Sequence, residues 1–323
     1  MIMRYIRGGF IEPTFNLAME DYFFHGEEEC FMLWQNKPSV IIGRNQNAMA
    51  EIDYAYTREQ NIAVARRITG GGAVYHDAGN LNFTYIVNNR DFGDYQGFTE
   101  NLCRFLNENG CPAVLSGRND LMADGMKFSG NAQHIVKNRI LHHGTLLFDS
   151  DLSVLSDVLR PDPEKIKSHG IASVRKRVCN LKEFLPQWET QDFWDALEHY
   201  MIHAEGLHVK PLTEEEITAI EALRAEKFST YDWIWGESPA YDYHKKARFT
   251  GGTAEVFLDV KKGIIEDVCI FGDFFSQREV ADLEQALIGT RHEKQAVTTV
   301  LTDTGFDRAI LGITLDDLLS LFF

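Results

Sequence analysis

The sequence predicts a two-domain α+β protein, and three observations carry that reading. Its 323 residues exceed the roughly 150 of one domain. Strand-like apolar runs mix with amphipathic helical stretches over the first two thirds. A second set of strands followed by helices begins after an irregular aromatic segment near residue 240. The expected division is a larger domain at 1–240, a linker at 241–247 and a smaller domain at 248–323.

The first helix is expected in PTFNLAMEDYFF, with Thr14 as N-cap and Leu17, Met19, Tyr22 and Phe23 loosely at helical spacing. CFMLWQN, SVIIGRNQNA and NIAVARR read as strands, the last delivering Arg66 and Arg67 to a run of three glycines. After a turn at Ala78-Gly79-Asn80, LNFTYIV alternates as a half-buried strand does. Leu81, Phe83, Tyr85 and Val87 share one face, and Asn82 and Thr84 take the other. YQGFTENLCRFLNENG is an amphipathic helix closed by Gly110.

Residues 117–149 read as an antiparallel meander of three strands reversing at Asp124-Gly125 and Lys137-Asn138. On that reading Lys127, Ser129 and Asn131 share one strand face. Residues 151 to about 230 are mostly helical, including TQDFWDALEHYMIHAEG and the capped TEEEITAIEALRAEKF. In the smaller domain, FTGGTAEVFLDVKKGIIEDVCIFGDFF predicts two strands around Lys262-Gly263. Short helices follow in REVADLEQALIG, EKQAVTTVL and TLDDLLSLFF.

Composition excludes several classes of function. The net charge of −16, from 48 acidic against 32 basic residues, repels phosphate backbones and anionic lipid surfaces, so no nucleic-acid or membrane partner is expected. Five scattered cysteines, with no CxxC, indicate neither a disulfide framework nor a zinc site and fit a reducing cytoplasm. The N-terminus lacks a signal-peptide core, and no run of about 18 apolar residues is present.

Three consecutive glycines, Gly70 to Gly72, open backbone conformations that let N–H groups surround an anion such as phosphate. The loop is neither GxxxxGK[ST] nor GxGxxG, so it fits a tight structural turn as well as an anion cradle. Arg67 ahead of it presents a planar fork suited to a carboxylate or phosphate, although a single arginine is ordinarily a surface residue. Lys127, just past a hairpin turn in GMKFSGNAQ, is either solvated or a mobile cation able to follow charge in phosphoryl chemistry. Asp120 reads as a turn residue or as a Mg²⁺ ligand beside phosphates.

His142 and His143 are adjacent in a strand and point to opposite faces, so they cannot readily share a metal, and one of them faces the core. His76 and Asp77 would suggest a hydrolase relay, but no GxSxG-type elbow completes a triad, and Asp77 reads better as a turn cap.

RRITGGGAVYHDAGNLNFT, SGRNDLMADGMKFSGNAQ and HHGTLLFDSDL, in that order, together resemble the lipoate-protein ligases. PSVIIGRNQN upstream, GIASVRKRVCNL downstream, WGESPAY at the domain junction and FTGG at the start of the smaller domain extend the resemblance. It implies a biotin/lipoate-protein-ligase-like catalytic domain, with the mixed sheet and helices of class II synthetases, and a small α+β accessory domain. It also implies the activity. ATP and Mg²⁺ activate lipoate to lipoyl-AMP with release of pyrophosphate, and the lipoyl group then passes to a lysine of an apo lipoyl-domain protein. Acceptors are the E2 component of 2-oxoacid dehydrogenases or the glycine-cleavage H protein, and the enzyme is expected to be a cytoplasmic monomer.

The resemblance assigns Lys127 as the catalytic lysine, contacting both the α-phosphate and the activated carboxyl group. ATP is assigned to Arg67, Gly72, Ala73, Val74, Tyr75, Asn119 and Lys127; lipoate to Lys127, Arg67, Trp34, His76 and His143; and the metal to Asp120. Departures are Thr69 where serine is frequent, Met49 where an aromatic is common nearby, and Cys179 where threonine is common. Cys179 raises one alternative, an octanoyl or lipoyl transferase working through a cysteine thioester; a lipoate- or nucleotide-binding protein that has lost chemistry is a separate one, against which the intact lysine, arginine and glycine loop argue. A free cysteine is more often a small buried hydrophobe. The basic run VRKR at 174–177 is the expected docking patch for the acceptor.

Overall fold

The computed structural model describes residues 3–46, 48–117, 119–158, 178–234, 243–261 and 264–323. The VRKR run, the WGESPAY segment and the Lys262-Gly263 reversal lie outside the described residues. In chain order the strands are β1 (Arg4–Arg7), β2 (Cys30–Trp34), β3 (Ser39–Ile42), β4 (Ala63–Arg66), β5 (Val74–His76), β6 (Asn80–Asn88) and β7 (Ala113–Ser116). They continue with β8 (Asp120–Ala123), β9 (Met126–Val136), β10 (Arg139–Leu147), β11 (His208–Val209), β12 (Tyr243–Phe249), β13 (Gly252–Lys261) and β14 (Ile264–Gly272). Among the described residues they form an eight-stranded sheet in the order β11-β1-β2-β6-β10-β9-β8-β7 and two three-stranded sheets, β4-β3-β5 and β12-β13-β14. The large sheet is mixed, because β1 runs parallel to both β2 and β11 while β6 is antiparallel to β2 and β10.

The first helix runs Pro13–His25 with Glu12, not Thr14, at the N-cap. Pro13 takes the first helical position, where its fixed φ and missing N–H cost nothing. Thr14 is thereby inside the helix, and its hydroxyl accepts from Arg224 Nε at 2.9 Å.

β6 departs from the expected half-buried strand, since Asn80 through Val87 are all buried. The apolar face joins the core under helices Tyr95–Glu108 and Thr190–Ala204. Its polar face is turned towards helix Pro13–His25, where Thr84 bonds Glu20 at 2.5 Å and Asn82 borders a cavity. Alternation read the two faces correctly; it could not show that the polar one is covered.

The meander forms as expected. Asp124 and Gly125 both take positive φ, 47° and 78°, as a two-residue hairpin turn requires. The register of β8 on β9 shifts between Leu121 and Met122: Leu121 pairs with Ser129 and Met122 with Lys127, so Phe128 has no opposite number. This bulge breaks the predicted row. Ser129 and Asn131 stay on one face, while Lys127 joins Asp120 and Gly130 on the other. Re-aiming one side chain is what a bulge beside a functional site does.

In the smaller domain a third strand, β12, precedes the two expected, so Tyr243 to Ala247 of the expected linker segment are strand. Ala254, Val256, Leu258, Val268 and Ile270 face helices Val280–Leu287 and Lys294–Asp303 and the C-terminal Leu318 to Phe322 in a separate core. Residues 272–279 meet the larger domain. Gly71 N–H donates to the Phe274 carbonyl at 3.4 Å, Asn45 Nδ2 to Ser276 Oγ at 2.6 Å, and Arg44 pairs with Glu279 at 2.8 Å. Among the described residues no helix is long and apolar enough to cross a membrane.

Candidate active site

A cavity of about 400 Å³ opens where the glycine loop, β6, β9, β10 and the β12–β13 hairpin converge, a volume suited to a small ligand. Of the residues assigned from sequence, Trp34, Arg67, Gly72, Ala73, Val74, His76, Asn119, Asp120, Lys127 and His143 all border it. Tyr75 does not. Along β5 the side chains alternate, so Val74 and His76 face the cavity while Tyr75 packs with Val40, Ile42 and Ile62 in a separate cluster. The nucleotide role expected of Tyr75 is a backbone one, which its side chain's direction leaves untouched.

Arg67 is not the open fork the sequence suggested. It is 6% exposed, and its guanidinium donates to the carbonyls of Ile41 at 3.0 Å, Gly70 at 2.7 Å and Gly72 at 2.8 Å. Burial pulls its pKa down to about 10, which leaves it charged at neutral pH. Its first task is therefore to shape the glycine loop. Gly71, at φ +94°, is held where an added Cβ would lie 3.0 Å from Arg67 Nη2, whereas a Cβ on Gly72 would meet nothing within 4 Å and project into open space. Arg66 is likewise consumed internally, donating to the carbonyls of Gly43, Gln46 and Ile234 at 2.6 to 2.9 Å.

From Arg67 a buried chain of hydrogen bonds leads to the apolar wall. Arg67 Nε donates to Thr69 Oγ1 at 3.0 Å, and Thr69 Oγ1 lies 2.8 Å from His143 Nε2. His143 Nδ1 lies 2.9 Å from Glu20 Oε1, which accepts from the Thr84 hydroxyl at 2.5 Å, and Thr84 Oγ1 accepts from Trp34 Nε1 at 2.8 Å. One set of hydrogens satisfies every link: Thr69 donates to His143 Nε2, and His143 donates from Nδ1 to Glu20. Glu20 is fully buried and was not foreseen. Its helical register, one turn from Asn16 and Leu17, was the available signal, but an acid on a helix is ordinarily taken as solvent-facing.

His76 differs from His143. Asn36 Nδ2 lies 3.0 Å from its Nδ1, which therefore accepts, so the ring hydrogen is on Nε2, a buried atom without a partner among the described residues. Burial and the nearby Arg67 push its pKa down to about 3, so the ring is neutral within the cavity wall. His142 is the core-facing member of the pair, stacked on Phe98 with ring centroids 4.5 Å apart. Asp77 caps its turn, accepting from Gly79 N–H at 2.9 Å.

Lys127 Nζ stands 2.7 Å from Asp120 Oδ1, both about one third exposed. Its carbonyl accepts from Cys179 N–H at 3.0 Å, and its side chain passes over Gly130, where a Cβ would come within 3.1 Å of Nζ. Asn119 Nδ2 donates to Asn131 O at 2.7 Å, which braces the loop that carries Asp120. Leu17, Trp34, Ile41 and Val74 give the cavity an apolar side continuous with one core cluster, whereas Lys127 and Asp120 form a charged pair on β8 and β9. The cavity thus suits a molecule with an apolar body and an anionic head. Cys179 is 1% exposed in the opposite core, and burial raises its thiol to about 11, so it is neither accessible nor ionised.

Comparison with known proteins agrees with this geometry. The profile of the lipoyl protein ligase A/B catalytic domain matches residues 12–202, and that of the bacterial lipoate protein ligase C-terminus matches residues 238–322. The chain is 42% identical over 298 residues to lipoate-protein ligase 1 of Staphylococcus aureus, covering 90% of this chain and 91% of that protein. It is 39% identical over 323 residues to lipoate-protein ligase LplJ of Bacillus subtilis, covering 97% of each. Among solved structures, P. falciparum LipL1 in complex with lipoate superimposes with a TM-score of 0.80 at 25% identity, covering 98% of both chains. A lipoate-protein ligase A bound with ATP superimposes at 0.62 with 28% identity, covering 73% of this chain and 99% of that one. With both domain profiles matched and relatives aligned nearly end to end, the chain belongs to the lipoate-protein ligase family and is an ATP-dependent ligase.

Proposed function

We propose that this cavity carries both half-reactions of lipoate ligation, with Lys127 as the catalytic cation. A lipoate carboxylate oxygen attacks the α-phosphorus of ATP, the bond to the β-phosphate breaks, and pyrophosphate leaves with the electron pair. The acceptor's lysine amine then attacks the carbonyl carbon of lipoyl-AMP, forms the amide with loss of a proton, and expels AMP. The observation that carries the reading is the convergence, around one cavity, of an arginine-shaped glycine loop, an apolar wall and the Lys127–Asp120 pair.

The roles follow from the surroundings. Charge builds on the α-phosphate and the carboxyl oxygen during activation, and a cation already in place stabilises it without reorganising solvent. Asp120 holds Lys127 Nζ at the rim until a phosphate competes for it. Asp120 is also a suitable single carboxylate for Mg²⁺, which is bound by one or two carboxylates together with the nucleotide's phosphates and, when bound, neutralises their charge. Neutral His76, held by Asn36, places an uncharged ring in the cavity wall, and the Glu20–His143–Thr69 chain keeps Arg67 and the loop in register. The acceptor is a lipoyl-domain protein, an E2 component or the glycine-cleavage H protein, and with a charge of −16 the enzyme must find such a partner through a local patch.

Incubation with ATP, Mg²⁺ and lipoate is expected to release pyrophosphate, and addition of apo acceptors to give a lipoyl mass increase. Lys127→Ala is expected to slow pyrophosphate release by about 10²- to 10³-fold. A variant that forms lipoyl-AMP at the parental rate removes the role given to Lys127.

A further inference from the structure

Three basic side chains border the cavity, and two are already engaged: Arg67 with carbonyls and Lys127 with Asp120. The third, Arg248, comes from the smaller domain, at the end of β12 in the RFTGG hairpin. Its side chain is exposed, and it has no ion-pair or hydrogen-bond partner among the described residues. Its neighbours on the same strand do: Lys245 Nζ donates to Phe323 O at 3.1 Å and Lys246 Nζ lies 3.5 Å from Glu255.

The hairpin is held firmly over the cavity. A Cβ on Gly251 would fall on the backbone of Gly312, and one on Gly252, at φ +136°, would lie 2.7 Å from Asp273 Oδ1. Asp273 accepts from Thr253 N–H, and the next residue, Phe274, accepts from Gly71 of the glycine loop. These glycines are thus used for close packing between backbones, which leaves Arg248, Phe249 and Thr250 as the hairpin's side-chain-bearing residues at the cavity, with Arg248 the charged one. A guanidinium with no partner among the described residues, on a hairpin that borders the same cavity as Lys127 in a strongly acidic chain, is a site for an anion with more charge than one lysine can balance.

We infer that Arg248 binds the β- and γ-phosphates of ATP during adenylation and stabilises pyrophosphate as it leaves. This rests on the reading of the cavity as the adenylation site. It gives the smaller domain a chemical part in the first half-reaction: as the α–β P–O bond breaks, negative charge accumulates on the departing pyrophosphate, and Arg248 is the cavity's cation with no partner among the described residues. The second half-reaction expels AMP and does not call on it.

The test separates the half-reactions in the full-length enzyme. Arg248→Ala is expected to lower kcat/KM for ATP in pyrophosphate release by about 10- to 100-fold, the weight of a charge-assisted hydrogen bond. KM for lipoate and the transfer from added lipoyl-AMP to an apo acceptor should hold, and Arg248→Lys should recover part of the loss. Undiminished adenylation in Arg248→Ala overturns the inference. So does an equal loss in both half-reactions, which marks a structural role. Wild-type enzyme run in parallel keeps the two claims apart: its failure to release pyrophosphate strikes the adenylation reading itself and takes this inference with it.

Discussion

At the scale of single residues, the site is built from groups whose charge is committed before any substrate arrives. Arg67 spends its donors on carbonyls, and Glu20, fully buried on the first helix, accepts from both His143 and Thr84. Replacing Glu20 by glutamine puts an NH₂ group where one oxygen now accepts, leaving a donor facing a donor. Such a mismatch in a buried network costs about 2 kcal/mol, so Glu20→Gln should lower the urea midpoint with the slope unchanged, and should raise KM for lipoate by disturbing His143. An unaltered midpoint would show that the chain through Glu20 contributes nothing to the fold. The arginine, the lysine and the histidines were legible as candidates because their residue types announce their chemistry. Glu20 was not, because nothing local distinguishes a buried acid on a helix from a solvated one.

At the scale of elements, two departures from regular geometry position the chemistry. The bulge at Phe128 turns Lys127 onto the face of Asp120 and Gly130. The glycine loop divides its labour residue by residue: Gly71 needs its left-handed φ, and Gly72 does not. Gly71→Ala should therefore destabilise the protein by about 1–2 kcal/mol from backbone strain alone. Gly72→Ala should leave the melting temperature nearly unchanged while weakening ATP binding, because its methyl enters the cavity. Comparing melting curves with nucleotide titrations checks both; equal loss of stability in the two variants would contradict this division. Period-two alternation found β6, the meander and its turns, yet a bulge is invisible to it, since one extra residue in a strand leaves the local pattern intact.

At the scale of the whole molecule, burial makes stability depend on pH. His76 is held down to about 3 and His142 well below its ordinary 6.5, both by burial. In the unfolded chain both rings take up protons near pH 6.5 while the folded protein refuses them. The unfolded state then binds more protons, so this contribution is complete above pH 6.5 and declines as the pH falls. Glu284, pushed up to about 7 by burial in the smaller domain, acts in the opposite sense between pH 7 and 4.5, since its folded form holds a proton more tightly. His134, which burial lowers to about 4, adds a third ring, and three rings against one carboxyl leave a net loss of about 2.7 kcal/mol per pH unit between 6.5 and 4.5. Urea unfolding at pH 8, 6 and 5 measures it, and His142→Gln should flatten the dependence; a slope indifferent to that change would refute the assignment. The cavity also belongs to this scale, for its wall is shared by both domains.

The sequence by itself determined the α+β class, the meander with its hairpin turns, the family through several co-linear motifs, and the residue types of the site, because these rest on local periodicity and short-range turn chemistry. Tertiary structure alone decided that the polar face of β6 is covered, that Arg67 is turned inward, that Lys127 faces Asp120, and that Glu20 and Arg248 border or support the same cavity. Each of these depends on which distant segment packs against the residue. Glu20 and His143 are 123 positions apart, so no window along the chain contains both.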